Sequence, residues 1–340
     1  MLEQLQGAAL VLAAVAFLAA TAGAEEAAPP KLDLPVRCVP GDSCWLVNLV
    51  DLDPGKGVRD YRCGRHAYDG HKGTDIAIRD RAAMADGVDV IAAAPGTVRA
   101  VRDGMADRMP DAALRRRRNI YCGNGIVIDH PGGWQTQYCH LRRGSVAVAK
   151  GDEVTRGQRL GYVGHSGMAE FPHLHLSVRR GAKVVDPFVG PDGDATACEA
   201  GPAPLWTAEA LRQLAPPLTA VYNAGFAPTR PKPAAVRKGL YHAPALSRRA
   251  PALILWAEIF WVRPGDTARL RILGPDGGVV AEHSNVLPKR QARRMIFAGR
   301  KKPGLFWPAG EYTGEVVVER LSGDGRTRRF VARRSVVLKD

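Results

Sequence analysis

Between Arg37 and Cys198 the apolar residues fall in short runs, not in long periodic stretches. Asp89-Val90-Ile91, Gly96–Val101, Gly125–Ile128 and Leu174–Val178 are each bounded by Gly, Pro or Asp. Short β-branched runs stopped by turn formers predict many antiparallel strands, not alternating strand and helix. The same grammar returns in residues 251–340. Six strands are expected there, over Leu253–Val262, Thr267–Leu273, Gly278–Glu282, Arg293–Ala298, Gly310–Arg320 and Thr327–Leu338, with turns such as Pro275-Asp276-Gly277-Gly278 and Gly323-Asp324-Gly325 between them. Strands at this spacing predict a smaller immunoglobulin-like β-sandwich. Residues 201–250 break the pattern with a cluster of prolines, so they read as a linker or surface wrap holding one short helix over Thr207–Ala215. The expected fold class is all-β.

The N-terminus follows another rule. Ala8–Ala20 reads AALVLAAVAFLAA, an apolar run too short for the roughly 20 residues a membrane span needs. Ala22-Gly23-Ala24 follows it, and then polar Glu25-Glu26, which is the pattern of a cleaved secretory signal peptide. The expected organisation is a signal peptide over 1–24, a tether over 25–36, a first domain over 37–200, a Pro-rich linker over 201–250 and a β-sandwich over 251–340.

Charge and cysteine usage sharpen this. The formal net charge is +14, and removing residues 1–24, whose one charged side chain is Glu3, raises it to +15. An exported basic chain meets anionic wall polymers or an anionic membrane face, so nucleic acid is not an expected partner. The cysteines are Cys38, Cys44, Cys63, Cys122, Cys139 and Cys198, an even number that would pair in an oxidising compartment. None forms a C-x-x-C pair, which argues against a zinc ribbon or a dithiol redox site.

The candidate chemistry lies in three pieces: His71-x-x-x-Asp75, His140 in TQYCHL, and His173-Leu174-His175. On a strand His173 and His175 share a face, and Thr136, Tyr138 and His140 would share another. Imidazole nitrogens and carboxylate oxygens suit zinc, and a catalytic zinc needs three protein ligands plus an open position. Five such groups leave two for acid–base work. Cys139 beside His140 also raises a thiolate nucleophile, but adjacent strand residues point to opposite faces.

Residues 60–190 resemble the lysostaphin-type (LytM-like) zinc metallopeptidases, a family of cell-wall endopeptidases. The resemblance rests on GHKGTDIAI, IAAAPGTVRAV, GNGIVIDHPGGWQTQYCHL, VAKGDEVTRGQRLGYVGHSG and PHLHLSVRRGAKVVDPF. It implies a barrel-sandwich hybrid-like antiparallel peptidase domain with one zinc held by His71, Asp75 and His175, and with His140 and His173 as the catalytic pair. It further implies hydrolysis of peptidoglycan cross-links by a secreted, periplasmic enzyme. The alternative is a catalytically silent scaffold of the same fold that binds wall or activates an amidase. A regulatory protein docking on the C-terminal domain is a further expected partner.

Two features depart from the family pattern. Met105–Asn119 inserts a basic loop with Arg115–Arg118, near the expected groove. The cysteines add cross-links: Cys122 and Cys139 flank the Asp129–Gly133 turn at matching distances, so a hairpin would set them face to face. Cys38 with Cys44 and Cys63 with Cys198 complete one of 15 possible connectivities.

Overall fold

The computed structural model describes residues 28–215 and 217–340; the expected signal peptide lies outside the described residues. Strands dominate, and no helix among the described residues is long and apolar enough to cross a membrane. The principal sheet has eight strands. Its order is Cys44–Asn48, Thr74–Ile78, His173–Arg180, Trp134–Leu141, Asn124–His130, Gly96–Arg102 and Glu153–Val154, with Lys183–Val184 added onto His173–Arg180. All its pairings are antiparallel. A small ribbon of Asp89–Ile91 and Arg159–Tyr162 accompanies it.

Alternation sets what this sheet does. Register pairs Ile76 with Leu174, and Tyr138 with Leu176, on one face, which is wholly buried with Ile126, Ile128 and Val178. The opposite face therefore carries Asp75, His173, His175 and Cys139, with Asp75 and Cys139 both paired to His175. One strand thus contributes a core with its even residues and a polar site with its odd ones.

The C-terminal half forms two further sheets. Ala220–Ala227, Ala252–Val262 and Gln291–Lys301 make one; Ala245–Ser247, Thr327–Lys339, Gly310–Leu321, Thr267–Leu273 and Val279–Val286 make the other. They face each other across Phe226, Leu253, Leu255, Leu270, Ile272, Tyr312, Val316 and Val336. All six strands expected beyond residue 250 are present.

The expected boundaries give way in two places. The linker region contributes a strand, Ala220–Ala227, paired antiparallel along Ala252–Val262. Proline density around it masked a proline-free run, and burial of Tyr222 and Phe226 holds it in place. Its short helix does form, as Ala208–Gln213 capped by the Thr207 side chain. The tether is likewise no tether from Leu32 onward: Leu32, Leu34 and Val36 are buried, and Leu32 bridges to Trp206 and Val36 to Val90. Their spacing of two is a strand signal.

The two halves also share a core. Tyr222, Phe260 and Trp261 pack into the same cluster as Trp45 and Ile76, and Tyr222 stacks on Phe260 with centroids 3.8 Å apart. Fully burying a large side chain contributes about 1.5–3 kcal/mol, so three such residues make a firm seam.

Candidate metal centre

Three strands and one loop assemble the polar face. Asp75 comes from Thr74–Ile78, His173 and His175 from His173–Arg180, His140 from the end of Trp134–Leu141, and His71 from the loop before Thr74. The structure brings all five predicted residues together. His71 Nε2 lies 3.1 Å from Asp75 Oδ1 and 3.1 Å from His175 Nδ1, and His175 Nδ1 lies 2.8 Å from Asp75 Oδ1. His173 Nε2 is 3.7 Å from the same oxygen, and the His140 and His173 ring centroids are 4.7 Å apart.

The outer hydrogen bonds decide which atoms carry protons. His71 Nδ1 faces the Leu49 carbonyl at 2.6 Å; a carbonyl can only accept, so Nδ1 is the donor and Nε2 has the lone pair. The Ser177 hydroxyl donates to the Lys72 carbonyl at 2.6 Å. Its oxygen then accepts from His175 Nε2 at 3.0 Å, which leaves the lone pair on Nδ1. Asn48 Nδ2 donates to Asp75 Oδ2 at 2.7 Å, so Oδ1 is left facing the two imidazoles. With both imidazoles neutral, three acceptors thus converge with no hydrogen between them. Buried acceptors left facing one another are costly unless a cation lies among them. Atoms each bonded to a tetrahedral zinc at 2.0–2.1 Å stand roughly 3.3 Å apart, close to these separations. The donor set fits a zinc ion.

Electrostatically the centre attracts positive charge, whether as protons on its imidazoles or as a cation. Burial opposes ionisation of Asp75, yet positive charge on His71 and His173 outweighs it and holds the carboxyl well below its usual range. Burial likewise opposes a charged His71, but the Asp75 carboxylate overcomes it and pushes that imidazole up. His175 is pushed down, by burial first. The cluster is a fixed anion demanding positive charge in the place where three lone pairs meet.

His140 reaches the site by a route that strict alternation does not predict. Thr136 and Tyr138 point into the core, so the shared face expected for these three residues does not exist. At His140 the backbone turns left-handed, with φ 64, and this switches the side chain to the Cys139 and His175 side. A left-handed non-glycine residue costs about 1–2 kcal/mol and needs surrounding structure to hold it. Here the His140 N–H donates to the Cys122 carbonyl at 2.7 Å and Nδ1 donates to the Ser166 carbonyl at 2.8 Å. His173 Nδ1 donates to the Phe171 carbonyl at 2.8 Å. Both rings therefore leave Nε2 as the nitrogen available to the site. Burial, followed by the charges of His173 and His175, pushes His140 well below its ordinary pKa, so it is neutral at neutral pH.

The six cysteines close as Cys38–Cys44, Cys63–Cys198 and Cys122–Cys139, the pairing expected. The last pair forms by a route other than the expected hairpin. The strands pair Ile128 with Thr136 and Ile126 with Tyr138, so Cys122 and Cys139 are not hairpin partners. Cys122 reaches Cys139 from the turn before the strand, across a bulge between Asn124 and Ile126. Cys139 carries no free thiol, which removes the thiolate nucleophile.

Several supporting residues were not singled out from sequence. Ser177 continues the His173-x-His175 alternation and was legible on that ground. Asn48 and Leu49 sit far from the motifs, and nothing local marks them. Gly73 had a hidden role: a Cβ there would lie 2.6 Å from His175 Cε1 and Nε2, so only glycine lets the loop pass beneath the ring. The basic loop folds as a helix, Ala112–Arg115, and a 3-10 turn, Arg118–Ile120, with Arg115 3.8 Å from Glu170. On the other side, Phe171 lies 4.8 Å from the His173 ring and also lines a cavity of about 130 Å³ that reaches Arg237, Glu258 and Arg293 of the C-terminal half.

Comparison with known proteins falls on the segment that carries this cluster. Residues 69–187 match peptidase family M23. The peptidoglycan DD-endopeptidase ShyA of Vibrio cholerae is 34% identical over 108 residues, covering 32% of this chain and 20% of that protein. The DD-carboxypeptidase/endopeptidase Mpg of Neisseria meningitidis is 34% identical over 101 residues, covering 30% and 21%. The chain thus spans about a fifth of the length of these relatives. Among solved structures, a zinc containing peptidase from Vibrio cholerae aligns at 27% identity over 47% of this chain and 39% of that one, with a TM-score of 0.30, a superposition too partial to bear on the fold. All five site residues, and Ser177 with them, lie within the matched segment: the chain carries a peptidase family M23 domain over residues 69–187.

Proposed function

We propose that this protein is a zinc-dependent endopeptidase that hydrolyses peptide cross-links of peptidoglycan outside the cytoplasm. The observation that carries the metal is the convergence of His71 Nε2, Asp75 Oδ1 and His175 Nδ1 within 3.1 Å of one another, each side chain's other polar atom being engaged outward. The substrate class is supported by the names of the relatives, and the export by the closure of all six cysteines.

His71, Asp75 and His175 would hold one zinc. When bound, it supplies Lewis acidity and lowers the pKa of water towards about 7. His140 and His173 act beside it. Each is locked by its Nδ1 hydrogen bond with Nε2 free, so each can accept a proton from the attacking water. Once protonated, the same nitrogen can donate to the leaving amine or to the developing oxyanion. Neutrality of His140 keeps it ready as an acceptor. A silent scaffold would not need both rings locked in this tautomer around an intact ligand set.

The test is metal content together with digestion of purified sacculi, for the chain and for His175→Ala. One zinc per chain and soluble cross-link fragments are expected, with both lost in the variant. Zinc without digestion would leave a metal-binding scaffold; no zinc at all would end the reading.

A further inference from the structure

A β-bulge is held across the seam between the halves of the molecule. The register of Cys44–Asn48 on Thr74–Ile78 jumps from Leu46–Ile76 to Asn48–Asp75, so Val47 is the extra residue. A bulged residue loses its ladder partner. On the other side of the seam Trp261 lies between the pairs Phe260–Arg293 and Val262–Gln291, where the register runs on unbroken. Its indole supplies the bulge with a partner: Nε1–H donates to the Val47 carbonyl at 2.5 Å.

Trp261 is built to be immobile. Its backbone is left-handed, with φ 52, which a bulky residue rarely adopts. Its carbonyl accepts from Thr219 Oγ1 and Arg320 Nη2, both at 2.9 Å, and Arg320 is clamped by Asp266. The indole meets the His66 ring edge-on at 5.2 Å. Val47, in turn, opens a run of three residues that reaches the metal centre. Asn48 holds Asp75 Oδ2, the Leu49 carbonyl fixes the His71 tautomer, and the Leu49 N–H is held by the His66 carbonyl at 2.8 Å. The backbone that orients two of the three ligands is therefore pinned from the C-terminal half.

We propose that Trp261 is a positioning residue for the metal centre, setting through the Val47 bulge the reach of Asn48 onto Asp75 and of the Leu49 carbonyl onto His71. The C-terminal sandwich on this view completes the site. The proposal rests on the metal reading above for its consequence, though not for its geometry.

The experiment compares Trp261→Phe with Trp307→Phe in the full chain. Trp307 is the control: it is equally buried and its Nε1–H donates to the Ala250 carbonyl, inside the sandwich core and remote from the bulge. Three quantities are read: zinc affinity by competition with a chromophoric chelator, the ¹⁵N resonance of His71 Nδ1 in metal-free protein, and Tm. Loss of a direct outer partner of a metal ligand costs 10–100-fold in affinity, so a group one step further out should cost about 3- to 10-fold. Trp261→Phe is expected to lose that much affinity and to shift the His71 signal, while Trp307→Phe lowers Tm with both left at wild-type values. Equal zinc affinities in the two variants with an unmoved His71 signal would overturn the proposal. If wild type takes up no zinc, the metal reading falls, and the His71 signal alone decides the positioning role. Should Trp261→Phe fail to fold, Arg320→Lys loosens the Trp261 carbonyl without touching the indole, and a smaller change in the same direction is expected; none would count against the proposal.

Discussion

The outer face of the eight-stranded sheet and the interior of the C-terminal sandwich are both buried surfaces of antiparallel sheets, yet they are held by different physics. The sandwich interior is carbon: Leu253, Leu255, Leu270, Ile272 and Val316 interlock by shape and volume. The outer face is polar: His71, Asp75, His140 and His173 are buried with His175 half-open beside them. Each side chain there has one outward hydrogen bond, to Leu49, Asn48, Ser166, Phe171 or Ser177, that fixes which atom faces inward. Changes in the first region should move stability and spare chemistry; changes in the second should do the reverse.

The largest effect expected from that contrast is at the catalytic pair. His173→Ala and His140→Ala should each lower kcat/KM by about 10³-fold, roughly 4 kcal/mol of activation free energy, within the range of a lost acid–base group. Zinc content by mass spectrometry should stay at one per chain. Loss of zinc in step with activity would make the residue a ligand and erase the division between trio and pair. Next comes the sandwich: Leu270→Ala should destabilise by about 2–5 kcal/mol, read as a lower denaturant midpoint, with zinc affinity unchanged. A parallel fall in zinc affinity would mean that the two regions are one energetic unit. Smaller again is Ser177→Ala. It removes the acceptor that fixes the His175 tautomer and should weaken zinc by 10–100-fold, about 1.4–2.7 kcal/mol, with little change in Tm.

The same contrast explains what the sequence revealed. The sandwich strands were legible because period-two alternation needs only local information, and Thr267–Leu273 was bounded to the residue. The His-x-His strand was legible for the same reason. His140 was found through its motif, but its face was misread, since a single left-handed residue reverses the alternation and nothing in TQYCHL announces it. Asn48, Leu49 and Trp261 were invisible because their roles depend on the bulge at Val47 meeting the left-handed Trp261 across the seam, a juxtaposition that neither strand holds alone. The Ala220–Ala227 strand was lost to the prolines around it, although Pro cannot interrupt a strand that it merely flanks.

A titration at the seam tests where the two regions join. Asp60 accepts hydrogen bonds from the backbone of Arg62, Gly64 and His66 and lies 2.8 Å from His66 Nδ1, whose other nitrogen takes a contact from Arg263 of the C-terminal half at 3.2 Å. Burial alone would raise its pKa, but the His66 side chain and these backbone donors outweigh it and bring the carboxyl to about 2. The folded pKa is thus below the unfolded value of about 3.9, so the folded state favours the carboxylate. The resulting stability is present above about pH 4 and is lost as pH falls through 2. Discounted for partial solvent screening, it amounts to about 1–2 kcal/mol. Asp60→Asn should therefore lower the unfolding free energy at pH 7 by that much, read from the denaturant midpoint, and the gap between variant and wild type should close on descent to pH 2. A gap that persists at pH 2 would mean that Asp60 acts through shape, as the sandwich residues do. Closure would place the seam with the polar face, as a joint held by charge and hydrogen bonds.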